Sequence, residues 1–98
     1  MMMAGEPFGF VAYRSRQQTT AFESALKKQG IRCSIINTPH EIGMGCGLSV
    51  KFALSDLKTV VSTSDRLKQS ALIGIYNAEI VEGRLVCKPV TRAMRYGC

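Results

Sequence analysis

From Phe8 to Tyr76 the hydrophobic pattern keeps changing period. Short apolar runs with a strand's period of two alternate with stretches whose apolar residues recur at helical spacing. Phe8-Gly9-Phe10-Val11-Ala12-Tyr13 reads as a buried strand. A helix follows, with Ser15 placed to cap its first turn and Ala21, Phe22, Ala25 and Leu26 along one stripe. Gly30 after Lys27-Lys28-Gln29 predicts the stop, the lysines suiting the negative end of the helix dipole. Ile31 to Asn37 returns to β-branched residues and reads as a second strand with Cys33 facing inward. Leu48, Val50, Phe52 and Leu54 alternate with Ser49, Lys51 and Ala53, the pattern of a half-buried third strand. Ser55-Asp56 opens a second helix through Leu57, Val60, Val61, Ser64 and Leu67. Ala71 to Tyr76 is a further apolar run, and Glu79 to Val86 reads as two short strands about a Glu82-Gly83 turn.

The order strand, helix, strand, strand, helix, strand predicts an α+β fold. The expected architecture is a ferredoxin-like βαββαβ sandwich, an antiparallel sheet with two helices on one face, plus a C-terminal hairpin. Residues 8–76 make the ferredoxin-like domain, 79–90 the added hairpin and 91–98 a basic tail. A chain of 98 residues holds one domain, and roughly 60–65% of its unfolded surface can be buried, enough for a core without disulfides or a structural metal.

The formal net charge is +6, from 13 Lys plus Arg against 7 Asp plus Glu. In sequence the cations are spread from Arg14 to Arg95 rather than clustered. Aromatics are few and Trp is absent, so the stacking platform of a nucleic-acid reader is not expected. The start Met1-Met2-Met3-Ala4-Gly5-Glu6-Pro7 carries neither a basic stretch nor an apolar run of signal-peptide length. No run approaches the roughly 18 apolar residues of a membrane span. The expectation is a cytoplasmic protein, in which Cys33, Cys46, Cys87 and Cys98 stay reduced. Without a CxxC pair, and with His40 as the one imidazole, neither a zinc site nor another metal site is expected.

Chemistry concentrates in the break from Thr38 to Gly47, where Pro39 and three glycines separate two strand-like runs. Cys46 stands between Gly45 and Gly47, whose backbones tolerate positive φ and whose lack of side chains can leave a sulfur open to a large partner. A thiol that accepts sulfur must be reachable and available as thiolate, and a cation such as protonated His40 or Lys51 would favour that form. The same spacing also suits a tight turn with Cys46 as a small buried residue. No phosphate-cradling GxxxxGK[ST] loop and no supported Ser, His and Asp arrangement is present. Gly43-x-Gly45-x-Gly47 opens no helix. No catalytic residue and no cofactor is expected.

The stretch Thr38-Pro39-His40-Glu41-Ile42, followed by small residues and Cys46-Gly47-Leu48-Ser49-Val50-Lys51-Phe52, resembles the signature of the selenium/sulfur carrier protein-like family. In that family a Thr-Pro-Arg-Glu segment leads through small residues to a Cys-Gly pair. The opening aromatic strand, the helix end near Gln29-Gly30-Ile31 and the start at Ser55-Asp56-Leu57 agree with it as well. His40 stands where the family usually has Arg, replacing a permanent cation by one charged only part of the time near neutral pH.

The resemblance implies a carrier in which Cys46 holds sulfur or selenium as a persulfide or selenopersulfide. Thr38, Pro39, His40, Glu41, Gly45 and Gly47 then shape the loop, and proteins that donate and accept the cargo are its partners. Two other readings stay open: a binding module, as a homodimer, in which Cys46 is incidental, and a thiol-disulfide protein in which Cys98 resolves Cys46.

Overall fold

The computed structural model describes residues 6–39 and 47–90. They form strands β1 (Phe8–Tyr13), β2 (Cys33–Asn37), β3 (Leu48–Phe52), β4 (Leu72–Val81) and β5 (Arg84–Pro89), with helices α1 (Arg16–Lys28) and α2 (Leu57–Leu67). The fold is mixed α+β, with one antiparallel five-stranded sheet in the order β2-β3-β1-β4-β5.

Two buried clusters explain this arrangement. On one face Phe22 and Leu26 of α1 and Val60 and Val61 of α2 pack with Val11, Tyr13, Val50, Phe52 and Ile75. Each such side chain stabilises the fold by about 1.5–3 kcal/mol through apolar burial. On the other face Phe10, Ala12 and Ala78 are buried among Phe8, Ile36, Ile73, Tyr76, Leu85 and Cys87, with the Phe10 and Tyr76 rings stacked at 5.1 Å. That cluster contains no helix residue. β1 reads as a continuous apolar run because both of its faces are covered.

Local signals act where expected in α1. The Ser15 hydroxyl accepts from the Gln18 N–H at 3.1 Å, and Gly30 takes φ +81° just beyond the helix end. In α2 the helix begins at Leu57 after a 3-10 turn over Leu54–Asp56, so Ser55 lies inside that turn and caps nothing. The third strand accordingly ends at Phe52 rather than Leu54.

The C-terminal part needs a correction. The expectation places a strand at Ala71 to Tyr76 and a separate hairpin at 79–90, whereas β4 runs unbroken from Leu72 to Val81 and is itself the first arm of that hairpin. The sheet therefore has a fifth, edge strand, and its order differs from that of a four-stranded sheet. The reason is that Tyr76, Asn77 and Ala78 pair with β5 on one side while Phe10, Gly9 and Phe8 hold them on the other, so nothing ends the strand between them. Glu82 and Gly83 turn the hairpin with φ +51° and +78°, two successive positive values that match the strand twist.

Candidate functional site

The strand registers place the two stems of the predicted loop at one end of the sheet. Asn37 and Tyr13 both lie opposite Leu48, and Tyr13 also lies opposite Leu72. The end of β1, the start of α1, the end of α2 and both stems of the 38–47 break therefore meet there.

The stems are fixed by three contacts. Thr38 N–H donates to the Gly47 carbonyl at 3.0 Å, extending the β2–β3 ladder by one step. Below it the Thr38 and Ser49 hydroxyls lie 2.8 Å apart with both residues buried. Gly47 is pressed against β1: a Cβ there would stand 3.1 Å from the Tyr13 carbonyl oxygen and 3.4 Å from Thr38 Oγ1. Here the glycine is needed for close backbone approach. Thr38 and Gly47 are thus brought together as loop stems, with Pro39 half-buried beside them. His40, Glu41, Gly45, Cys46 and Cys98 lie outside the described residues.

Beside the stems a polar network ties the first turn of α1 to the end of α2. Tyr13 donates its hydroxyl to Gln69 Oε1 at 2.6 Å, and Gln69 Nε2 donates to the Gln18 carbonyl. Gln18 in turn accepts from Ala71 N–H at 2.8 Å and donates to Ser70 Oγ. Burial pushes the Tyr13 hydroxyl pKa far up, so it stays a donor. Sequence reasoning missed Tyr13, Gln18, Ser49 and Gln69. Ser49 carried a signal, because its neighbours in β3 alternate so regularly that a hydroxyl on the other face needs a partner if that face is covered.

The cysteines and cations separate by environment. Cys33 packs against the helix-side core, its thiol donates to the Glu23 carbonyl at 3.6 Å, and burial followed by the Glu23 charge raises its pKa. It is held as a thiol in a half-buried site, as expected of a residue facing inward. Cys87 sits on the opposite face of the sheet, next to Tyr76, and its charge contributes to raising that residue's pKa after burial. Lys51 Nζ lies 4.5 Å above the Phe8 ring, and its strand position is opposite Phe10. An open groove of about 570 Å³ runs along α2, lined by Leu54, Leu57, Lys58, Val61, Asp65 and Val90, and none of the loop stems lines it. Among the described residues no group of three or more His, Cys, Asp or Glu is placed to hold a metal ion. No described helix is long and apolar enough to cross a membrane.

These features define a small mixed α+β domain in which Thr38 and Gly47 pin the stems of a break at the end of the sheet. The model of the family described as Putative Se/S carrier protein-like matches residues 8–70, well over half of the 98 residues, and the chain belongs to that family. The matched span contains the whole break from Thr38 to Gly47 with Cys46 inside it. Comparison with curated proteins and with solved structures gives no match.

Proposed function

We propose that the protein is a sulfur or selenium carrier that uses Cys46 as its cargo site. The observation that carries this reading is the family match over residues 8–70, which spans a cysteine whose flanking stems are anchored on both sides by Thr38 and Gly47. The step is a transpersulfidation. The Cys46 thiolate attacks the outer sulfur of a donor's persulfide, a new S–S bond forms on Cys46, the donor's S–S bond breaks, and the donor leaves as a thiolate. Electrons balance without an added oxidant or reductant, and a selenopersulfide transfers selenium in the same way. Donor and acceptor are proteins in this reading, no cofactor is required, and the reducing cytoplasm is the compartment in which the thiol stays available.

The finer reading of the fold is a ferredoxin-like sandwich extended by β5. It is supported by the places of β1 and β3, since β3 lies between β1 and β2 and β1 lies between β3 and β4, so each helical connection skips one strand. A second functional reading, a homodimeric binding module, is favoured by the apolar cluster around Phe10 on the sheet face that carries no helix residue.

The deciding experiment is intact-mass analysis after incubation with a cysteine desulfurase or a selenocysteine lyase and its substrate. Wild type gains the mass of one sulfur or selenium atom and Cys46→Ala does not. Equal uptake by both would remove the carrier reading, and a disulfide between Cys46 and Cys98 without any persulfide would favour the thiol-disulfide reading instead.

A further inference from the structure

Four of the described cations meet at one end of the sheet, while the others, Lys28, Arg32 and Arg84 among them, lie elsewhere. Arg14 directly follows β1, and its N–H donates to the Ala71 carbonyl. Arg16 opens α1, Arg66 lies in the last turn of α2, and Lys68 caps that helix in the left-handed conformation at φ +47°. All four residues are exposed. The Gln18, Gln69, Ser70 and Ala71 hydrogen bonds hold the two segments together, at the sheet end where Tyr13 faces Leu48 and Leu72.

What sets this end apart is where the described acids lie, because the cations of the opposite end are accompanied by most of them. Among the described residues Glu6, Asp56, Glu79 and Glu82 lie toward the opposite end, and Glu23 pairs with Lys27 at 3.2 Å in the middle of α1. Asp65 is the described acid on the segments that form the basic end. The first turn of α1 has no acidic residue, so the positive pole of its dipole adds to the field of the arginines.

We infer that this end, built on Arg14, Arg16, Arg66 and Lys68, is the docking surface for an acidic face of a partner protein. The inference deepens the carrier reading and rests on it only for the partner's role as cargo donor or acceptor. A protein is favoured over a nucleic acid because the described aromatic of this end, Tyr13, is 1% exposed and offers no base a stacking surface. Electrostatic complementarity of this kind raises the encounter rate and sets the orientation in which a short-lived transfer complex forms.

The test uses a fluorescein-labelled poly-glutamate peptide and a single-stranded RNA as probes, read by anisotropy at about 50 mM salt, where exposed charges are weakly screened. One variant carries Arg14→Gln, Arg16→Gln and Lys68→Gln. Its control carries Lys28→Gln, Arg32→Gln and Arg84→Gln, exposed cations of the opposite end, with the same loss of net charge. The first set weakens peptide binding by about tenfold or more and the control by less than about twofold. Equal weakening by both sets, no peptide binding by wild type, or tighter RNA binding through the same residues overturns the inference. Cys46→Ser separates the two proposals, because it abolishes cargo uptake while peptide binding stays at the wild-type level. Wild type that takes up sulfur from a small-molecule persulfide but binds no peptide sinks the docking surface alone.

Discussion

The Thr38 and Ser49 hydroxyls meet at 2.8 Å in a buried site at the base of the 38–47 break. One oxygen donates and the other accepts, so each hydroxyl is partnered only while the other is present. Ser49→Ala leaves the Thr38 hydroxyl buried and unpaired, and the expected loss is about 1–3 kcal/mol in urea unfolding. The double change Thr38→Val with Ser49→Ala removes both polar groups and costs less than the sum of the two single changes. Additive losses would show that the pair is not coupled.

Gly9 and Phe52 provide a packing test. A Cβ on Gly9 would stand 2.3 Å from Cζ of the Phe52 ring, and Phe52 is 1% exposed. The ring must move within a filled core, so Gly9→Ala is expected to cost about 1–3 kcal/mol. Gly83→Ala, where nothing lies within 4 Å but φ is +78°, loses about 1 kcal/mol through backbone strain alone. Thermal unfolding of the two variants side by side checks the ranking.

Alkaline pH is expected to weaken the fold. The Cys33 thiol and the Tyr13 hydroxyl are both raised above their ordinary values of 9.0 and 10.0. The native state therefore keeps protons that the unfolded chain gives up, so stability is full below about pH 9 and falls as the pH climbs through those ordinary values. Tyr13→Phe flattens the upper part of this fall, at the cost of the hydrogen bond to Gln69, worth about 1 kcal/mol near neutral pH. A chemical-denaturation series from neutral to alkaline pH reads both effects.

The same shift predicts the order of thiol reactivity. Iodoacetamide at neutral pH modifies Cys33 more slowly in native protein than in urea, because the thiolate is the nucleophile and burial disfavours it. In the carrier reading Cys46 is modified faster than Cys33, and peptide mapping after brief alkylation measures the ratio.

Asn77 offers a stabilising change. It stands in β4 between Gly9 and Lys88, and among the described residues its Oδ1 is the buried side-chain oxygen without a hydrogen-bond partner. Asn77→Val removes the unpaired acceptor and adds a β-branched residue to a central strand, for an expected gain of about 1 kcal/mol in denaturant titration. A loss of stability on this change would mean that Asn77 has a partner role that its surroundings do not reveal.

How far the sequence foretells this molecule depends on the range over which each signal acts. Ser15, Gly30 and the Glu82-Gly83 turn are local devices, read from neighbouring residues and found in place. The end of β4 is not local: what carries the strand past Tyr76 is its pairing with β1 on one side and β5 on the other. Ser55 looked like a cap because the chain was expected to enter α2 directly, whereas a 3-10 turn comes first. The Thr38 and Gly47 stems were legible as a break, but the Ser49 hydroxyl beneath them and the Tyr13–Gln69 bond, with partners 56 residues apart, were not. The grouping of Arg14, Arg16, Arg66 and Lys68 at one end was not legible for the same reason, since spacing along the chain says nothing of which end of the sheet each cation reaches.

The central place of β1, between β3 and β4, sets the order of events during synthesis. Among the strands of this sheet β1 leaves the ribosome before the others, yet it is hydrogen-bonded to neither of the elements that follow it directly, and its partners emerge only after α1, β2 and the 38–47 break, and then after α2. Phe8, Phe10, Val11 and Tyr13 must wait as an unpaired apolar segment until those distant strands arrive, and this is the interval in which the nascent chain most needs protection from wrong association.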